Sequence, residues 1–262
     1  MKKIPFLLAA LVAGASLSAQ TPAPAPAPAP VTGSWVLTPA VASQYMFRGA
    51  RLGGPSFQPA LEYDYGAMGL GVWANVPIKD KVDGQSDPEF DFYGFYSMDV
   101  VKDVTVVPGF TIYTYPKAKK ENGFYKATFE PNIALNYTIG GLKLTPKLYY
   151  DFVLKGPTAE ITAAYAVPLT DLSTELDFTG TYGTFKWKDY APNNTPDIKN
   201  WGDYYLVGVA LPFQVNKESK FTIGWAYTKG TNNFLKQGTD AKVANSGAVG
   251  RGVLTLSYAI TF

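Results

Sequence analysis

The sequence predicts an all-β chain: a single antiparallel, up-and-down transmembrane β-barrel of about twelve strands, with ten or fourteen as the alternatives. Three observations carry that prediction. From Ser34 to Phe262 the chain alternates strand-like segments with turns and shows no helical periodicity. Most segments exceed the ~5–6 residues usual in soluble strands and match the ~9–11 of a tilted membrane-crossing strand. The connections alternate between short and long, the asymmetry of a barrel with tight turns at one rim and loops at the other.

Two segments precede the barrel. Residues 1–19 read as a secretory signal: Lys2 and Lys3 supply the charged start, Ile4 to Leu17 the apolar core, and Ser18 and Ala19 a small-residue cleavage site. Residues 20–33 form a Pro/Ala-rich spacer containing "TPAPAPAPAP", in which alternate residues lack an N–H. Such a tract holds polyproline II, a semi-stiff rod of roughly 30 Å, serving as a passive spacer or a docking segment.

Twelve strands are expected over 34–48, 56–65, 69–76, 89–99, 104–115, 125–139, 142–154, 158–167, 172–185, 203–214, 220–229 and 249–262. Short links follow the second, fourth, sixth, eighth and tenth, for example "GG" at 140–141. Longer ones follow the third, fifth, ninth and eleventh. The link after the seventh, near Gly156 and Pro157, is short where a long one is expected, and the one after the first is intermediate.

Side chains alternate between the two faces of a strand. The last strand sets Leu254, Leu256, Tyr258, Ile260 and Phe262 against Val253, Thr255, Ser257, Ala259 and Thr261. The sixth and seventh alternate as cleanly. The fourth, fifth and tenth do not, since Tyr93, Phe95, Val107 and Leu206 fall on the polar face. Alternation alone leaves open which face is inside: a soluble barrel buries the apolar face, and a membrane barrel turns it to lipid. Trp35, Tyr45, Phe47, Tyr63, Tyr65, Tyr137, Phe213, Phe221 and Tyr258 lie toward strand ends, where ring anchors at a lipid–water boundary belong.

Composition excludes several chemistries. The chain is 47% hydrophobic and 15% aromatic, ample for an ordered structure, yet no stretch reaches the ~18 apolar residues of a spanning helix. Removing Lys2 and Lys3 from the 23 basic residues leaves 21 against 21 acidic, a balance that offers nucleic acid nothing. There is no Cys for disulfides or a lipid anchor and no His for the usual catalytic base or metal ligand. No P-loop or dinucleotide motif occurs, and no cofactor or metal is expected.

Charged residues on the predicted polar faces are the candidate lumen lining: Arg48, Glu62, Asp64, Glu130, Lys143, Lys147, Asp151, Glu160, Glu175, Asp177 and Arg251. Paired carboxylates such as Glu62 with Asp64 and Glu175 with Asp177 could act on glycosides or bind Ca2+. A lumen filled by ion pairs accounts for them together with the lysines. The mixed signs predict weak ion selectivity.

The stretch "SQYMFRGARLGGPSFQPALEYDYGAMGLGVWANV", Ser43 to Val76, resembles the opening of the TorF-type porin family. The first-strand signature of that family is matched by Tyr45, Phe47, Arg48 and Gly49, and the element of its second hairpin by Gly71, Trp73, Ala74 and Asn75. The resemblance implies a Gram-negative outer-membrane barrel. Resemblance to outer-membrane proteins also implies that Tyr258, Ile260 and Phe262 form a C-terminal signal for the barrel assembly machinery.

The expected function is a narrow passive channel for small hydrophilic solutes, with outer-membrane lipid around it. A plugged, structural or adhesive barrel is the main alternative. A secreted soluble barrel with an apolar ligand inside is a second, and an enzyme built on the carboxylates a third.

Overall fold

The computed structural model describes residues 33–81, 87–118, 125–188, 199–230 and 250–262. The expected signal segment and spacer, residues 1–32, lie outside them, as do most of the two longest loops. Among the described residues, twelve strands pair antiparallel with their neighbours and close on themselves. Beyond the strands, Thr170–Leu172 forms one 3-10 turn.

Strand β1 runs Ser34–Thr38 and, past Pro39, Ala40–Ala42; β2 runs Ser56–Phe57 and Ala60–Tyr65. Both are continuous despite the breaks, because Leu37↔Ile260 and Ala40↔Ser257 keep one register, as do Thr38↔Ala60 and Val41↔Phe57. Each break falls at a proline, whose missing N–H interrupts the ladder without shifting it. Then follow β3 (Met68–Pro77), β4 (Glu89–Tyr96 with Met98–Val101), β5 (Val104–Thr114) and β6 (Ala127–Ile139). The chain continues through β7 (Leu142–Asp151), β8 (Gly156–Leu169), β9 (Thr174–Lys188), β10 (Lys199–Gln214), β11 (Ser219–Gly230) and β12 (Arg251–Thr261).

The seam is built from the ends of the barrel. Trp35 N–H donates to the Phe262 carbonyl at 2.8 Å and Phe262 N–H returns the bond at 3.0 Å. Phe262 is therefore the last rung against β1. Tight turns follow β2, β4, β6, β8 and β10, so one rim carries these turns together with Ser34 and Phe262. The β7–β8 link stays short at the opposite rim, where Asp151 Oδ1 accepts the backbone N–H groups of Val153 and Leu154.

Face assignment is now settled. Leu70, Phe92, Phe129, Ile133, Leu148, Ile161, Tyr182, Val207, Trp225 and Leu254 are exposed on the outside. Glu62, Asp91, Thr111, Glu130, Asn136, Asp177, Thr222 and Thr255 are buried inside. A barrel that turns its apolar residues out and its carboxylates in is stable only in an apolar solvent.

The first strand departs from expectation. It ends at Ala42 rather than running to residue 48, and the chain turns inward as a hairpin, Tyr45–Phe47 against Ala50–Gly53. Arg48 and Gly49 at its tip have φ of 46° and 78°, the two left-handed residues of a type I′ turn. A strand could not continue through them. The tip is pinned to the end of β11, where Gly230 N–H donates to the Gly49 carbonyl at 3.0 Å.

Ile133, central in β6 and 48% exposed, tests the lipid-facing surface. Ile133→Arg should lower folding stability in lipid vesicles by about 2–4 kcal/mol, the cost of a cation near the bilayer midplane. Ile133→Leu should cost under about 1.5 kcal/mol. Denaturant titration of the folded barrel reads both.

Candidate functional site

The inward hairpin brings the interior together at the loop rim. Arg48 leaves its tip and meets Glu130, three residues from the loop end of β6, in a two-pronged ion pair: Nη1 to Oε2 and Nη2 to Oε1, both 2.8 Å. The pair is almost fully buried, 6% and 1% exposed by side chain. Glu130 also accepts the Tyr113 hydroxyl at 3.0 Å. A bidentate guanidinium–carboxylate contact fixes orientation as well as charge, so the hairpin tip is held in one place.

Aromatic rings enclose this pair. The Arg48 guanidinium lies 4.7 Å from the Phe47 ring centre, 4.6 Å from Tyr149 and 5.2 Å from Trp187, within cation–π range. Phe185 stacks on Trp187 at 3.9 Å between ring centres, and Tyr204 completes that cluster. Glu160 accepts hydroxyl bonds from both Tyr149 and Tyr204. Lys147 Nζ sits 4.6 Å above Tyr149.

The base of the hairpin is anchored to the opposite flank. Tyr45 donates to Glu89 Oε2 at 2.5 Å, Tyr115 to the other oxygen at 2.9 Å. Tyr45 packs with Trp73 and Tyr93. Gly71 makes this possible, because a β-carbon there would overlap the Tyr93 ring. Beneath them Gln58 donates to Asn75 at 3.0 Å. The motif residues Tyr45, Phe47, Arg48, Gly49, Gly71, Trp73 and Asn75 are thus parts of one assembly, the hairpin and its bed.

Several expectations change. Tyr45 and Phe47 are not rim anchors; they pack inside, since the chain leaves the wall at Ser43. Arg48 reaches the lumen from the hairpin rather than from a wall strand. Asp151 ties down the β7–β8 turn and accepts Thr128 Oγ1 at 2.8 Å, which occupies it locally. Lys147 and Glu160 join the site, and Arg251 is half-buried at the loop end of β12, donating to the Gly250 carbonyl at 3.4 Å. Glu62 and Asp64 on β2, Lys143 on β7, and Glu175 and Asp177 on β9 lie nearer the turn rim.

Glu89 and Asp91 were not among the sequence candidates, yet both are 1% exposed. The signal lay in "EFDFYGFY", where Glu89, Asp91, Tyr93 and Phe95 share one face. Tyr93 and Val107, which blurred the alternation, are buried inside. Outside the strands, burial pushes the Asp87 carboxyl above its ordinary range, against the pull of Lys81 and Lys117. Among the described residues no three His, Cys, Asp or Glu side chains are grouped so as to hold a metal ion.

Comparison with solved structures agrees with the fold, and the sequence comparison adds a family. Residues 25–150, just under half of the chain, match a family described as a bacterial protein of unknown function (Gcw_chp). The TorF-type family suggested by the motifs is thus met only by a match to a bacterial family of unknown function. No curated protein matches. Among solved structures, the chain is similar to the KdgM porin, at 12% identity and a TM-score of 0.51, over 87% of this chain and 99% of that one. It is similar to the NanC porin at 10% and 0.52, over 86% and 98%. A third, the COG4313 outer membrane channel from Pseudomonas putida F1, gives 9% and 0.50 over 93% and 100%. At such identities the likeness is one of fold: the chain is a porin-like β-barrel.

The ion pair generates a sharp expectation. Glu130→Ala leaves Arg48 buried and uncompensated, which should cost about 3–5 kcal/mol of stability. Arg48→Met with Glu130→Met removes both charges and should recover most of that loss. Denaturant unfolding of wild type, Arg48→Met, Glu130→Met and the double variant in a double-mutant cycle, with Glu130→Ala beside them, checks it.

Proposed function

We propose that this chain is a porin-type channel of the Gram-negative outer membrane, a narrow passive route for small hydrophilic solutes. The observation that carries the reading is the inversion of faces: an apolar outer surface around an interior of carboxylates, amides and hydroxyls. The short-turn rim, with Ser34 and Phe262, faces the periplasm. The signal-like residues 1–19, the Pro/Ala spacer and the TorF-type motif around Arg48 support export to that membrane. No catalytic role is assigned to the carboxylates, and a soluble barrel fits poorly because its apolar face would be in water.

Solute passage is a matter of exchange: polar lining groups replace hydration contacts, and the constriction sets the size limit. The constriction is the hairpin. Twelve strands enclose more room than the side-chain-filled interior of eight but less than the open lumen of sixteen. One observation favours a second reading, a barrel closed at rest: the Arg48–Glu130 pair is shielded from water within a ring of aromatics.

Planar-bilayer recording separates the two. The wild-type protein should give small discrete conductance steps, and replacing residues 44–54 by a short Asn-Gly turn should enlarge them severalfold. Steps only from the shortened protein would mean closure at rest. None from either would sink the channel.

Tyr258, Ile260 and Phe262 are the proposed signal to the assembly machinery. Deleting Phe262 also removes the last rung of the seam, so insertion in cells should fall. Folding of the purified chain into vesicles separates the causes: a loss confined to cells marks the signal, and unchanged insertion in cells removes that role.

A further inference from the structure

We infer that the lumen selects for cations, with Asp91, Glu62 and Asp177 as its anionic contacts for a small inorganic cation or a protonated amine. The inference deepens the channel reading and rests on it. Its basis is an imbalance in hydrogen bonding. Among the described residues, six buried side-chain atoms on the barrel strands have no hydrogen-bond partner. Five are carboxylate oxygens: Glu62 Oε1 and both oxygens of Asp91 and of Asp177; the sixth is Asn75 Nδ2.

These oxygens are sheltered as well as unpartnered, in residues at 1% exposure for Asp91, 4% for Glu62 and 5% for Asp177. Each charge taken out of water costs several kcal/mol unless a counter-charge or donor compensates it. Three of them on one inner surface constitute a demand for positive charge. Among the described residues, no cation gives any of these five oxygens a hydrogen bond. Arg48 spends both terminal nitrogens on Glu130. Lys220 lies near Asp177 and Glu175 but gives Asp177 no hydrogen bond. Asp91 has Glu89 and Glu130 beside it, and Glu62 has Asp64 and the Tyr93 hydroxyl.

Their placement serves both halves of the barrel. Asp91 lies two residues from the loop end of β4, whereas Glu62 and Asp177 each lie three residues from the turn ends of β2 and β9. A solute crossing from rim to rim would meet unpartnered carboxylate oxygens at the level of the hairpin and again nearer the turn rim. Low-dielectric walls around such groups strengthen the field they exert, and carboxylates lining a pore favour cations. The weak selectivity expected from the sequence counted every charge as equally available. Pairing removes Arg48 and Glu130 together from that count, and the fold adds the buried Glu89 and Asp91 to it.

Reversal potentials in a KCl gradient test the inference on the folded, full-length protein. Wild type should reverse on the cation side, and Glu62→Gln with Asp177→Asn should move the potential at least halfway to zero. Reversal at zero or on the anion side in wild type, or an unmoved potential in the variant, would overturn cation selection while leaving a channel. Absence of conductance sinks the channel reading instead. Spermidine binding to the detergent-folded protein then decides whether the carboxylates recognise cations: the double variant should bind at least severalfold more weakly, and equal binding would overturn the inference.

Discussion

Backbone hydrogen bonding in an apolar solvent is the constraint on which everything else here depends. Lipid offers no donor or acceptor, so each N–H and C=O of a crossing strand must find its partner in another strand, and the sheet must close. The reciprocal bonds between Trp35 and Phe262 make that closure at the turn rim. Once the sheet is closed, period-two alternation divides every strand into a lipid face and a lumen face. Tolerance of Pro39 and Pro59 follows from the same rule, because neighbouring residues on both sides keep the register and only single bonds are lost.

Closure also creates the problem that the hairpin solves. A twelve-stranded barrel encloses more space than its wall side chains fill. The β1–β2 connection turns inward instead of outward, and wall residues on β3 to β11 meet it. Aromatics occupy the volume, hydroxyls bring donors, and Glu130 and Glu89 receive Arg48 and Tyr45. The tyrosines matter because each carries bulk and a hydrogen bond in one side chain. Glycine at 71 supplies the complementary hollow.

The interior is also electrically uneven. Charge that looks mixed along the chain separates into paired and unpaired groups once the hairpin is in place. Arg48 and Glu130 neutralise each other; Asp91, Glu62 and Asp177 lack such partners. In the proposed channel, selectivity would therefore follow from what pairing leaves over rather than from the total charge.

By itself the sequence determined the class of fold, a count of about twelve strands, the alternating turn lengths and the clean two-faced alternation of β6, β7 and β12. Those follow from period-two patterning and turn chemistry, which are local. It also placed Glu62, Glu130, Lys147, Glu160 and Asp177 on the lumen face, since parity along a strand is local too. Only the tertiary structure decided that the Tyr45–Gly49 motif leaves the wall, that Tyr93 and Val107 belong inside, and that Glu89 and Asp91 belong to the site. These depend on partners far along the chain: Arg48 meets Glu130 eighty-two residues away, and Tyr45 meets Glu89 forty-four away. A strand pattern shows which face a residue takes, but the hairpin alters what that face meets, and only packing across the lumen reveals it.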